Sequence, residues 1–294
     1  MPELGVRSTF SQSPFQLLMN DNAGLISTGT GFFYEHLNEH YLITNWHNIS
    51  GRHFLTNEPL SSRLPTFIEA KFYKKIDEAG SFTTVAERIE IYNNQLPLWY
   101  EHPKLKSKCD VVAIKMRRPD FIAENMNFAA NIISKIRIPI KPGNTVFVIG
   151  FPKSISVGFG LPLWKSGYIA SEPFYDVTIG GEVSPIGGLT NGISLPAFFI
   201  DTQSREGMSG SPVFANYIGN WNTKHPYEEV NPDAPDFLIN RDIALGENRM
   251  EFIGCYSARI GTNEEGAALG LCWRSSTIDE ICVGNFIGQH PQIS

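Results

Sequence analysis

Hydrophobic and polar residues along the chain change over in short runs of strand length. Gly29-Thr-Gly-Phe-Phe-Tyr34 and Tyr41-Leu-Ile-Thr44 flank a polar break, the pattern of a β-hairpin. Runs rich in Val, Ile, Phe, Thr and Tyr follow at 66–73, 85–92 and 111–116. A second set begins at Thr145-Val-Phe-Val-Ile149 and continues at 168–170, 197–201, 212–214, 252–256 and 268–273. Between the sets, 117–143 is polar with a helix-tolerant middle (121–136), and reads as a crossing between two halves. Strand runs without alternating helices predict an all-β chain, built as barrels or a sandwich. Ser276-Thr-Ile-Asp279 carries a capping serine and an acid three residues on, which predicts a short C-terminal helix. Two segments, 172–196 and 215–250, exceed ordinary turns and are expected to be loops near the site.

Composition narrows the function. The 24 Lys+Arg against 30 Asp+Glu leave a net charge of −6, which argues against nucleic acid as a partner. With 42% hydrophobic and 18% charged residues the chain is neither disordered nor a coiled coil. Before Gly31 the longest apolar run is Leu17 to Met19, and no 18-residue apolar stretch occurs anywhere. Neither a secretory leader nor a membrane partner is therefore expected. Cys109, Cys255, Cys272 and Cys282 lack C-x-x-C spacing, so free core thiols and a cytoplasmic setting are expected.

The candidate chemistry centres on Gly207-Met-Ser-Gly-Ser-Pro-Val-Phe214. A serine hydroxyl attacks a carbonyl only if a base takes its proton and donors meet the resulting oxyanion. Glycines around Ser209 allow a tight turn that exposes Oγ and aims the Gly207 and Ser209 N–H groups into one cavity. A base is available in His47, within Leu42-Ile-Thr-Asn-Trp-His-Asn-Ile49, and an orienting carboxylate in Asp110, opening Asp110-Val-Val-Ala-Ile-Lys115. The order His47, Asp110, Ser209, each beside a strand-like run, is far more specific than any one residue.

With these blocks the chain resembles the trypsin-like (chymotrypsin-fold) serine peptidases, and among them bacterial glutamyl endopeptidases and high-temperature-requirement proteases. The resemblance rests on Gly29-Thr-Gly-Phe32, Thr44-Asn-Trp-His47, Asp110 to Lys115, Gly207 to Pro212 and Ile253-Gly254, in the family's order. It implies two antiparallel β-barrels, with 1–135 carrying His47 and Asp110 and 136–294 carrying Ser209 and the specificity pocket. It also implies that Tyr256-Ser-Ala258 pairs with the substrate backbone and that Ser257 bonds Asp110. The specificity pocket is expected near Gln203 and Ser204; Arg205 and Arg259 either line its rim, favouring acidic side chains, or, the preferred reading, point to solvent. No acid stands at Gln203 or Ser204, so a preference for Lys or Arg is not expected. Met208 stands where digestive members carry an aspartate, so the expected loop is ordered by packing rather than by an inserted ammonium.

Two other motifs are weaker. His36-Leu-Asn-Glu-His40 matches an inverted zinc-peptidase motif, but that motif needs a helix and here a turn is expected. An α/β-hydrolase elbow would need Gly at 211, where Ser stands, and a base after the nucleophile. The reading is an intracellular, bacterial-type serine endopeptidase that needs no cofactor and no metal. The alternative is a latent effector whose covered site a regulatory protein partner opens.

Overall fold

The computed structural model describes residues 8–77, 81–116, 127–180, 182–183, 189–190, 192–202, 205–227, 230–231, 233, 237, 239, 242–260 and 269–289. A 3₁₀ turn (Thr9–Gln12) leads into β1 (Pro14–Asp21), β2 (Gly24–His36) and β3 (Glu39–Thr44), and the one-turn helix α1 (Trp46–Ser50) follows. Then come β4 (Phe67–Lys75) and β5 (Phe82–Glu90), and the short β6 (Tyr92–Asn93), β7 (Leu96–Pro97), β8 (Tyr100–Glu101) and β9 (Val112–Lys115). The second half holds β10 (Thr145–Gly150), β11 (Leu163–Ile169), β12 (Val177–Ile179), β13 (Glu182–Val183), β14 (Leu189–Thr190), β15 (Ile193–Leu195) and β16 (Ala197–Asp201). It ends with β17 (Pro212–Asn222), β18 (Ile243–Ile260), β19 (Leu269–Arg274), helix α2 (Ser275–Gly284) and β20 (Phe286–Ile287).

These strands form two main antiparallel units. The second half closes into a barrel in the order β10-β11-β16-β19-β18-β17. The first half is an eight-stranded antiparallel sheet in the order β20-β8-β9-β3-β2-β1-β4-β5, whose ladder is open. Its core is largely aromatic: Phe15, Phe33 and Phe72 are fully buried with ring centroids 4.7–5.2 Å apart. Aliphatic side chains fill the second barrel, among them Val146, Val148, Ile200 and Val213.

The hairpin expected at 29–44 is β2–β3, closed at Leu37 and Asn38 with φ of 50° and 62°, the left-handed pair of a two-residue hairpin turn. The H-x-x-E-H motif therefore lies on strand ends, where His36 pairs with Glu39 and the two histidines face different carboxylates, Asp279 and Glu35. Among the described residues no three potential ligands cluster to hold a metal ion.

Several elements differ from expectation. Gln16-Leu-Leu-Met19 belongs to a full strand, β1, paired on both sides by β2 and β4. Segment 215–250 is paired at both its ends, because β17 and β18 continue together as a ribbon as far as Asn222 and Ile243. Trp221 anchors the ribbon, 1% exposed, packed edge-on against Tyr217 and donating through Nε1 to the Arg137 carbonyl. Segment 172–196 likewise contains two small antiparallel pairs, β12–β15 and β13–β14. Residues 117–126, part of the expected crossing, lie outside the described residues, and 127–143 contains no helix. The ends of the chain cross over. Phe10 packs edge-on against Trp164 and Phe214 of the second barrel, and β20 returns to pair with β8 of the first sheet.

Candidate active site

His47 sits on α1 rather than at a strand end. Strand β3, buried at Leu42, Ile43 and Thr44 between β2 and β9, delivers the chain into this turn. Asn45 enters it with extended backbone, and Gly51 ends it in the left-handed conformation (φ 68°) while its N–H donates to the His47 carbonyl at 2.9 Å. A Cβ at Gly51 would lie 2.8 Å from Pro65 Cδ, so glycine is needed for space as well as for φ.

Asp110 lies two residues before the start of β9 and has no exposed surface. Its carboxylate accepts from the His47 backbone N–H at 2.9 Å and contacts His47 Nδ1 at 2.7 Å. It also accepts a very short hydrogen bond from the Ser257 hydroxyl. Asn45 Nδ2 donates to the Asp110 carbonyl at 2.7 Å, tying the two chain segments together. The carboxylate is thus buried and gripped by three donors, one of them an imidazole nitrogen. A carboxylate only accepts hydrogen bonds, so Nδ1 carries the proton and the imidazole leaves Nε2 as its acceptor. The His47 side chain is 17% exposed, so its ring edge reaches solvent.

Ser209 lies in the turn between β16 and β17. Gly207 (φ 88°) and Gly210 (φ 85°) both adopt backbone that side-chain-bearing residues disfavour. A Cβ would approach the Phe151 carbonyl oxygen to 2.4 Å at Gly207 and the Thr30 carbonyl oxygen to 2.1 Å at Gly210. Tyr256 clasps the turn: its N–H donates to the Ser211 carbonyl and its carbonyl accepts from Gly210 N–H, each at 2.9 Å. Met208 is fully buried among the apolar side chains of the second barrel, so packing orders this loop. Among the described residues the Gly207 and Ser209 N–H groups donate no hydrogen bond, which leaves two adjacent donors open.

Three residues that sequence reasoning missed join the Ser209 turn to the first sheet. Thr30 N–H donates to the Ser209 carbonyl at 2.9 Å, and its hydroxyl donates to the Gly207 carbonyl at 2.7 Å. Asn48 Nδ2 reaches both Thr44 Oγ1 and the Ser209 carbonyl, and Thr44 Oγ1 donates to the Thr30 carbonyl. Gly29 leaves room for this, since a Cβ there would lie 2.7 Å from Asn48 Nδ2. The available signal was the buried polar residue inside the apolar Gly29-Thr-Gly-Phe32 run. Ser209 is half-buried, and among the described residues no hydrogen bond joins its Oγ to His47. Such contacts commonly tighten only when substrate binds.

Both backbone groups of Tyr256 are committed to the serine turn and its side chain is 2% exposed, which withdraws it from substrate pairing. The β18–β19 ladder skips from Tyr256 to Arg259, so Ser257 and Ala258 form the irregular stretch beside Asp110. Gln203 and Ser204 lie outside the described residues, as does the side chain of Arg259, and Arg205 is exposed.

All four cysteines are buried free thiols. Burial pushes Cys109, Cys255 and Cys272 far up and Cys282 to about 12, so each stays an unreactive thiol at neutral pH.

Comparison with known proteins adds the family. Residues 29–220 match the family described as the trypsin-like peptidase domain. Among solved structures, the chain is similar to the active form of a protease from M. tuberculosis, at 14% identity and a TM-score of 0.46, over 95% of this chain and 83% of that one. It is also similar to a thermostable serine protease from an extremophilic microorganism, at 10% identity and 0.46, over 94% and 98%. A protease from Arthrobacter nicotinovorans matches at 13% identity and 0.45, over 92% and 93%. No curated protein matches at the level of sequence.

Proposed function

Since the chain belongs to the trypsin-like peptidase family, and is thus a serine peptidase acting on protein or peptide substrates, we propose that it is an endopeptidase working through an acyl-enzyme on Ser209. The observation that carries the reading is the buried Asp110 carboxylate holding His47 by both its backbone N–H and Nδ1.

In this mechanism His47 Nε2 takes the proton of Ser209 Oγ as the oxygen attacks the scissile carbonyl. Asp110 fixes the tautomer and stabilises the imidazolium that forms. The open Gly207 and Ser209 N–H groups receive the negative oxygen of the tetrahedral intermediate. His47 then gives its proton to the leaving amine, the acyl-enzyme forms, and a water activated by the same imidazole releases the product acid. These groups supply each proton transfer, and the reading calls for no cofactor. Ser257 and Ala258 offer backbone for the acyl half of the substrate.

His47 and Ser209 both reach solvent, which favours activity in the free enzyme over a latent form that waits for a partner. Four buried free thiols favour a reducing, intracellular setting. The test is labelling with a fluorophosphonate followed by intact-mass analysis. One adduct on the full-length protein, lost in Ser209→Ala and His47→Ala, is the expected result. Robust peptide hydrolysis by purified Ser209→Ala would sink the assignment.

A further inference from the structure

The chain after β10 leaves its own barrel. From Phe151 to Gly160 it crosses the face of the first sheet where the Tyr73 hydroxyl donates to the Gly160 carbonyl at 3.1 Å. Phe159 meets Phe82 there, edge-on, with centroids 6.1 Å apart. Between this loop and the sheet lies a cavity of about 290 Å³. Its floor is Gln16 and Lys71, which face each other across β1 and β4, with Thr83 and Thr84 of β5, and the loop adds Ser156 and Phe159.

The cavity adjoins the candidate site. Phe151, part of its wall, is the residue whose carbonyl abuts Gly207, and Lys153 N–H donates to the Glu206 carbonyl at 2.6 Å. In the proposed mechanism the acyl half of a substrate runs along Ser257 and Ala258 on one flank of Ser209. The Phe151–Gly160 loop meets the Gly207 turn through Phe151 and Lys153, a separate contact to which we assign the leaving half.

Chemistry points to the occupant. The lining holds one ammonium, three hydroxyls and one amide, and no carboxylate. Lys71 makes no ion pair among the described residues. Gln16 is 6% exposed, and its side-chain amide has no hydrogen-bond partner among the described residues. A cation without a counter-ion, beside one amide and three hydroxyls and with no carboxylate near it, is a donor set that an anion complements. The volume admits a carboxylate side chain together with several waters, each taking about 30 Å³. We propose that this cavity is a subsite for an aspartate or glutamate side chain of the substrate on the leaving-group side of the scissile bond, with Lys71 determining the preference. The proposal rests on the endopeptidase reading for the direction of the substrate.

Quenched fluorescent peptides, identical except for Glu or Gln at each of the leaving-group positions nearest the scissile bond, test it. At one position the Glu peptide should show a kcat/KM about fivefold above its Gln twin, the scale of a half-exposed ion pair. Lys71→Met should bring that ratio to about one, Lys71→Glu should invert it, and added salt should shrink it in the parent enzyme. Ratios near one at every position, or a preference that survives Lys71→Met, would overturn the subsite. A second measurement does not depend on turnover. Ser209→Ala protein with isotopically labelled dimethyl-lysines is titrated with the same peptides, the Lys71 resonance being assigned by its loss in Lys71→Met. A shift with the Glu peptide alone supports the subsite even if the parent enzyme cleaves neither peptide, in which case the Ser209 reading fails by itself. No shift with either peptide overturns the subsite.

Discussion

The Asp110 carboxylate receives all of its partners from residues distant in sequence: His47 twice and Ser257 once. Asp110→Asn keeps the shape but offers an NH₂ where Nδ1–H must donate, so kcat should fall roughly 10⁴-fold while the melting temperature moves little. An Asp110→Asn enzyme with near-parental kcat would remove the residue from the mechanism. Glu101 behaves differently. It is fully buried, accepts from Trp46 Nε1 at 2.9 Å and Trp99 Nε1 at 3.0 Å, and leaves Oε2 without a partner. Burial raises its pKa, with the two indoles partly opposing the rise. A carboxyl whose folded pKa lies above its unfolded value contributes stability below the unfolded pKa, and that contribution is lost as pH rises through the folded one. Glu101→Gln should therefore compare more favourably with the parent at pH 7 than at pH 4. Melting temperatures across that range check the sign, and a difference independent of pH contradicts it. His47, Asp110 and Ser209 were legible in the sequence because each stands in a distinctive block beside a strand. Thr30 and Asn48 were not, since their partners at Gly207 and Ser209 lie across the fold and nothing local marks the pairing.

Among the elements, strands with alternating apolar residues were readable and the ribbons were not. In β17 the outer stretch Ala215-Asn-Tyr-Ile-Gly-Asn220 mixes polar and apolar positions because only one of its faces meets the barrel, so it reads as loop. Helix α1 is too short to show a period, and its existence depends on Gly51 and tertiary packing. Trp221 is the point at which the ribbon joins the second core. Trp221→Ala removes a buried indole and its bond to Arg137, which should cost about 3–5 kcal/mol of stability. Denaturant unfolding measures it, and a loss below about 1 kcal/mol would show that the ribbon is not held by this anchor. At the serine turn, Gly210→Ala would put a methyl within 2.1 Å of the Thr30 carbonyl oxygen. Its expected result is loss of fluorophosphonate labelling with the circular dichroism spectrum retained, and unchanged labelling would argue that the turn yields easily.

For the molecule as a whole, the architecture was legible as two successive sets of strands, but the exchange of end segments was not. Pairing β20 with β8 is a contact between residues far apart in the chain, carried by two residues only. Around it, Gly288 N–H donates to the Trp99 carbonyl at 2.8 Å, and Gln289 N–H reaches Glu101 Oε1 at 3.3 Å. Removing residues after Gly284 should therefore lower the melting temperature and weaken turnover, although the deleted segment lies in the half of the sequence that carries Ser209. Retained activity and stability would show that β20 is dispensable.

Glu101 and Phe286 stand about 185 positions apart, a stretch that takes roughly 10–40 s to make at 5–20 residues per second. During that interval a growing chain has already emerged with His47, Trp46 and β8, but with no partner for the edge of β8. The edge of β8 is therefore completed only when the segment after α2 has been made.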